Sequence, residues 1–268
     1  MCSGTAHGQQ RFVPERPFSV EERETIRQTL EFSSTGGQKM LEVEGVLGAI
    51  HVTGYDGTAV EMTANKTVRA NTPEQARLAR DTVRLDVSDK ADTIRIDVDQ
   101  PNQMRDPGYQ VIFDFELRVP RATNIRLQNV RDEIRVQDMT GDFDLSSVSG
   151  RIDMTMVAGS GRVHAVSGPV EVNFSRNPTK DSYFGSLSGE VDVTFQKDLS
   201  ADLKFKTFNA GVYTDFPVTA LPVPVNAPER RNGMFIYKSE YQGARVGKGG
   251  PMLEFDGFNR DIRIRQAK

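Results

Sequence analysis

The chain has no tryptophan, one cysteine and three histidines. The lone thiol, Cys2, excludes an intramolecular disulfide and any zinc or iron–sulfur site built from several cysteines. The scarcity of histidine leaves only His7, His51 and His164 able to exchange protons near neutral pH without help. No run of about 18 apolar residues occurs, so no transmembrane helix is predicted. The most apolar stretch, Pro217 to Pro228, carries four prolines and reads as loop or extended chain. An excess of positive charge is also missing. Against 34 Lys and Arg stand 37 Asp and Glu, a formal net charge of -3 that offers no field for gripping phosphate backbones, which excludes nucleic acid as a partner.

What is present suits a folded chain: 268 residues, 26% charged and 37% hydrophobic, are ample for a real core. The opening MCSGTAHGQQ is small and polar. Ala6-His7-Gly8 puts small residues at the two positions a signal peptidase reads, although no basic and apolar regions precede them. Residues 1–36 are therefore expected to be a leader remnant, its signal peptide truncated, or a disordered segment.

From Lys39 onward short segments alternate apolar with polar residues, as strands with one wet face do. They are Met40–Glu44, Ala49–Val52, Ala59–Met62, Val83–Val87, Thr93–Val98 and Val111–Leu117. One segment breaks the rhythm. Thr72-Pro73-Glu74-Gln75 supplies an N-cap, a proline at the first helical position and a capping-box Gln, predicting one short helix over 73–82.

Beyond Pro120 a unit recurs: Ser or Thr, Gly, any residue, then two apolar residues separated by a polar one. It appears as Thr140–Leu145, Ser149–Met154, Ser160–Ala165, Ser167–Val172 and Ser188–Val193, with degenerate copies at Asp132–Val136 and Ala210–Thr214. Gly150, Gly168 and Gly189 are spaced by 18 and 21 residues, which two units per turn of a winding chain would explain. Stacking of like on like favours an all-β fold, a β-solenoid or right-handed β-helix-like repeat of short Gly-turn strands. An antiparallel sandwich is the alternative. On the first reading Ile134, Ile152, Val170 and Val191 form one inner column of an aliphatic core, and Phe143 and Val163 belong to another. The domain organisation expected is a single unit over 37–268: N-terminal strands and helix (37–120), repeat coils (121–216), a Pro-rich loop (217–233) and C-terminal strands (234–268). The N-terminal strands with the helix, and the stretch Met234 to Ile264, are the expected end caps.

These residues resemble the bacterial putative adhesin family, a domain of unknown function with a β-solenoid fold. The similarity is carried by Leu41–Gly54, by Phe115–Pro120 leading into the Gly units, and by Gly249–Ile264. The sequence departs from that pattern at Asp132 and Arg260, which stand where turn glycines are expected, and at Ala210, which replaces a Ser or Thr. The resemblance implies a secreted, periplasmic or cell-surface protein that contacts other macromolecules, and it brings no catalytic residues.

No catalytic, cofactor-binding or metal-binding residues can be assigned from the sequence. Gly185-Ser-Leu-Ser-Gly189 is superficially a nucleophile elbow, but Leu187 holds its central position. Gly243–Gly249 falls one residue short of a phosphate loop and ends in Gly249 where Ser or Thr should hold Mg²⁺. His164, at an outward strand position, is expected to be solvated. The one constellation with chemical potential is acidic: Arg135, Asp153, Glu171 and Asp192 should lie on successive strands. A bound divalent cation such as Ca²⁺ would relieve the repulsion between the acids; a solvated face with Arg135 pairing Asp153 needs none. The expected function is a non-enzymatic surface that contacts an unknown protein or polysaccharide at the cell envelope. The alternatives are a carbohydrate-active enzyme using surface carboxylates, which the lack of Trp and the presence of only six Tyr disfavour, and an envelope-stress or signalling accessory.

Overall fold

The structure, a computed structural model, describes residues 18–33, 36–90, 92–100, 107–221, 229–231, 234–236 and 242–268. The predicted termini features Cys2 and Ala6 to Gly8 lie outside them. The first part of the chain forms β1 (Val20–Glu31), β2 (Met40–Glu44), β3 (Ile50–Tyr55), β4 (Ala59–Ala70), helix α1 (Pro73–Thr82), β5 (Arg84–Lys90), β6 (Thr93–Asp99) and β7 (Tyr109–Pro120). All six segments expected as strands lie in or overlap strands. The helix is where its cap placed it: the Thr72 hydroxyl accepts the Gln75 N–H, and Pro73 opens the first turn.

The repeat region continues with β8 (Asn124–Asn129), β9 (Ile134–Gln137), β10 (Phe143–Ser147), β11 (Ile152–Val157), β12 (Gly161–Ala165), β13 (Val170–Phe174), β14 (Ser182–Ser186) and β15 (Val191–Phe195). It ends with β16 (Ala201–Thr207) and β17 (Val212–Thr214). Then come β18 (Val218–Leu221), β19 (Glu229–Arg231), β20 (Met234–Ile236), β21 (Gln242–Val246), β22 (Met252–Gly257) and β23 (Ile262–Gln266). Among the described residues the protein is mostly strand, with one helix and two large mixed sheets. One has ten strands in the order β1-β4-β7-β3-β9-β11-β13-β15-β23-β17; the other has eleven, β18-β21-β16-β22-β14-β12-β10-β8-β2-β6-β5.

From β8 to β15 successive strands alternate between the sheets, so each pair, such as β10 with β11, makes one tier. Strands of neighbouring tiers pair in parallel and in register. Ile134, Ile152, Val170, Val191 and Ile262 form one buried column, as the repeat predicts for its first four members. Phe143 and Val163 both lie in the eleven-stranded sheet but in neighbouring columns: Phe143 stands between Ile125 and Gly161, and Val163 between Leu145 and Phe184. The inner faces of the sheets meet in one core, each fully buried large side chain contributing about 1.5–3 kcal/mol. Towards the C-terminal tiers that core is aromatic rather than purely aliphatic. Phe174 stacks on Phe195 at 5.2 Å, and Phe184 meets Phe195 edge-on at 6.2 Å across the sheets.

Three expectations are corrected or refined. Val20–Glu31, placed in the leader or disordered segment, is the edge strand β1, paired along its whole length with β4. Its apolar residues Val20, Ile26 and Leu30 share the one partly buried face, but Glu22, Glu24 and Gln28 stand between them and break the alternation. Within 217–233, expected as a Pro-rich loop or extended chain, Val218–Leu221 is extended and goes further by pairing antiparallel with β21. The C-terminal strands β22 and β23 are not a cap. They are inserted between the β14/β15 tier and β16/β17. The other end shows the same device, with β2/β3 lying between β6/β7 and β8/β9.

Two of the corners from the eleven- to the ten-stranded sheet share one construction, and Ala165 holds the equivalent place in the corner between them. The Ser147 and Ser186 hydroxyls accept the N–H groups of Gly150 and Gly189, each at 2.9 Å. In the β8–β9 corner Asn129 fills that inward place, donating to the Gly48 carbonyl at 2.9 Å. Asp132, standing for a turn glycine, adopts the left-handed φ of 48 that Asp tolerates, and its carboxylate accepts the Gly48 N–H.

Candidate functional site

The outer face of the ten-stranded sheet carries the column read from the sequence, with Glu116, His51, Arg135, Asp153, Glu171, Asp192 and Arg263 on successive strands. Arginines from flanking positions answer its acidic run. Arg151 bonds Glu171 and approaches Asp153 to 4.0 Å. The Arg265 Nε donates to both oxygens of Asp192, at 2.8 and 2.9 Å. Arg135 pairs with Glu133 at 3.0 Å, not with Asp153. Among the described residues no group of three or more His, Cys, Asp or Glu is arranged to hold a metal ion. The structure brings Asp153, Glu171 and Asp192 onto adjacent strands as expected, with Arg151 beside Glu171 and Arg265 beside Asp192.

His51 sits between two carboxylates. Its Nδ1 lies 2.8 Å from Glu116 and its Nε2 2.9 Å from Glu133. A neutral ring donates to only one of them and an imidazolium to both. Sequence spacing conceals this arrangement, since the partners are 65 and 82 residues away.

The outer face of the eleven-stranded sheet is a ladder of alternating sign: Arg95, Glu42, Arg126, Asp144, Arg162, Tyr183, Glu254 and Lys204. Arg126 bridges Glu42 at 2.7 Å and Asp144 at 3.2 Å, and Lys204 holds Glu254 at 3.0 Å. Each exposed pair is worth under about 1 kcal/mol, so the ladder favours correct register more than stability. At its centre Tyr183 lies flat over Gly185, where a Cβ would come 2.6 Å from the phenol oxygen. The Arg162 guanidinium covers the ring at 4.1 Å, and the hydroxyl donates to Asp256 at 3.3 Å. Burial, with Asp256 beside it, pushes the Tyr183 phenol up to about 12. His164, expected to be solvated, packs instead against this tyrosine, with Nδ1 buried and unpartnered. Burial, and then the charge of Arg162, hold its pKa below the usual imidazole value.

A cleft of about 290 Å³ opens where the strands of this sheet begin, lined by Met40, Asn124, Asp142, Ser160, Lys180 and Asp181 among others. Burial raises the Asp142 carboxyl, but Lys180 at 2.7 Å and the Ser160 N–H at 3.0 Å outweigh it and hold the group below the usual range. The Ser160 hydroxyl accepts the N–H groups of Thr179 and Lys180. These groups anchor the 175–181 loop, and neither arrangement activates a nucleophile. Gly185 to Gly189 is one of the glycine corners, and Gly243 to Gly249 is strand β21 followed by a turn whose Lys248 N–H binds Ser200.

No family model and no curated protein matches the sequence. The chain is similar to solved bacterial structures. A "putative cell adhesion protein" from Clostridium sporogenes shares 12% identity over 92% of this chain and 100% of that one, with a TM-score of 0.44. A "putative adhesin" from Bacteroides fragilis shares 12% over 91% and 97%, with a TM-score of 0.41.

Sequence reasoning missed one feature, the apolar residue that opens each corner, which precedes Ser-Gly in three of them. Val46, Val130, Val148, Val166, Leu187, Phe258 and Phe208 stack along one corner of the molecule. Vertical hydrogen bonds tie several of them together, from Ser149 N–H to the Val130 carbonyl and from Ser167 N–H to that of Val148. The signal was available in Val148-Ser-Gly, Val166-Ser-Gly and Leu187-Ser-Gly.

Proposed function

We propose that the chain is a non-enzymatic β-solenoid of the bacterial putative-adhesin kind, secreted, periplasmic or on the cell surface, whose outer faces contact a protein or polysaccharide of the envelope. The reading rests on the ladders of mostly charged side chains along both outer faces, interrupted by Tyr183 on the eleven-stranded sheet, which give a long, regular polar surface. Acid–base chemistry by Asp153 and Glu171 is disfavoured because Arg151 engages both.

Co-sedimentation of the purified protein with isolated cell envelopes tests this reading. Binding should weaken as salt rises and should fall on replacing Arg126 and Arg162 together by Glu. Absence of binding at low salt, or polysaccharide hydrolysis that disappears in Asp153→Asn or Glu171→Gln, would overturn it.

A further inference from the structure

We infer that the corner ladder is a self-association surface, on which two copies of this chain pack antiparallel about a twofold axis near Val166. Five of its seven side chains are well exposed, from 40% for Val130 to 72% for Phe208. Phe208 and Phe258 stack face to face at 4.9 Å with 6° between their planes, forming an aromatic end on the strip. The neighbouring row, Leu47, Arg131, Ser149, Ser167, Ser188, Asn259 and Asn209, follows it along the corner. Of these fourteen residues only Arg131 is charged, in a chain that is 26% charged. Single exposed apolar residues need no explanation, but a contiguous stripe does.

The character of the strip selects its occupant. A strongly charged partner would lose hydration there and find only Arg131 in return. A bilayer surface would meet one row of apolar side chains with a single cation, Arg131, in the neighbouring row, too few to draw anionic headgroups. A second copy brings an uncharged strip with the same tier spacing of about 4.8 Å.

Orientation follows from the taper, since one end is valine and the other phenylalanine. Antiparallel packing with Val166 on the axis sets Val148 against the other copy's Leu187, Val130 against its Phe258, and Val46 against its Phe208, so large always meets small. It also carries Arg131 to the aromatic end, where its guanidinium can lie over a ring face. Parallel packing would set phenylalanine against phenylalanine and leave gaps between the valines. The antiparallel contact is isologous and closes at two copies. Seven tiers span roughly 29 Å, and with the flanking rows each copy would cover on the order of 600 Å², near the lower limit for a specific interface. The dimer should therefore be concentration-dependent.

Sedimentation velocity on the full chain across a concentration series should show a monomer–dimer equilibrium. Val148→Lys and Leu187→Glu should each raise the dissociation constant at least tenfold, and the double variant should recover most of that loss because the two positions face each other across the axis. Val166→Cys in a Cys2→Ser background should cross-link under oxidation, which checks the geometry should a charge variant fold poorly. A monomer at all concentrations with no cross-link would overturn the proposal. So would a double variant no tighter than the singles, or a monomer that instead binds neutral phosphatidylcholine vesicles through Phe208.

Discussion

Gly168 rests directly on Gly150, so close that a Cβ on Gly168 would come 1.9 Å from the Gly150 carbonyl oxygen. Gly189 stands over Gly168 in the same way, at 2.0 Å. The neighbour in each case is backbone, which cannot swing aside as a side chain can. Gly168→Ala should therefore force adjacent tiers apart and destabilise the protein by about 2 kcal/mol or more in urea unfolding. Ser167→Ala, one residue away and exposed, should stay within about 0.5 kcal/mol. Equal effects from the two would show that the corners yield without cost.

Val170 is buried between Ile152 and Val191, whereas Glu171 points outward beside it. Val170→Asp would place an unpaired carboxylate in the core and should cost at least about 3 kcal/mol. Glu171→Ala removes only an exposed ion pair with Arg151 and should cost under about 1 kcal/mol. Thermal melts of both variants test the inside–outside assignment of the strand.

Much of this arrangement was legible in the sequence because its determinants are local. Alternation from Thr93 to Val98 gives a strand, Thr72 and Pro73 start the helix, and Ser-Gly spacing places Ile152 against Val170. What stayed hidden depends on partners far along the chain. Nothing near His51 announces Glu116 or Glu133, and nothing in β22 reports that its neighbours will be β14 and β16. The strand β1 escaped for a different reason: paired on one edge and little buried, it spaces its three inward apolar residues, Val20, Ile26 and Leu30, too widely to reveal an alternation.

Acid should loosen the fold in two stages. His164 is held below its usual value of 6.5 by burial and then by Arg162, so the unfolded chain takes up this proton first. Its contribution is complete above about pH 6.5 and declines as pH falls towards the lower folded value. Asp142 acts in the carboxylate range: burial alone would raise its pKa, but Lys180 and the Ser160 N–H lower it, so its contribution is lost only as pH drops below about 4. His164→Gln should flatten the decline between pH 7 and 5 and leave the steeper loss below pH 4 intact. An unchanged slope in the upper range would exclude His164 as its source.

The insertion of β22 and β23 one tier inside the end makes a prediction that a terminal cap would not. Their removal leaves β14/β15 and β16/β17 without the strands that lie between them in both sheets. Four strand edges then face an empty tier, and the buried side chains Leu253, Phe255, Ile262 and Ile264 are lost from the core. Unpaired strand edges beside exposed apolar surface promote association with other chains. A chain ending at Gly250 should accordingly form soluble aggregates by light scattering, whereas loss of Gln266 to Lys268 alone should be tolerated. Adding a synthetic peptide of residues 251–268 during refolding should restore monomers, since the gap it fills has a partner strand on either side. A truncated chain that remains monomeric, with an unchanged melting temperature, would mean that β16/β17 can close directly onto β14/β15 and that the inserted tier contributes little to the fold.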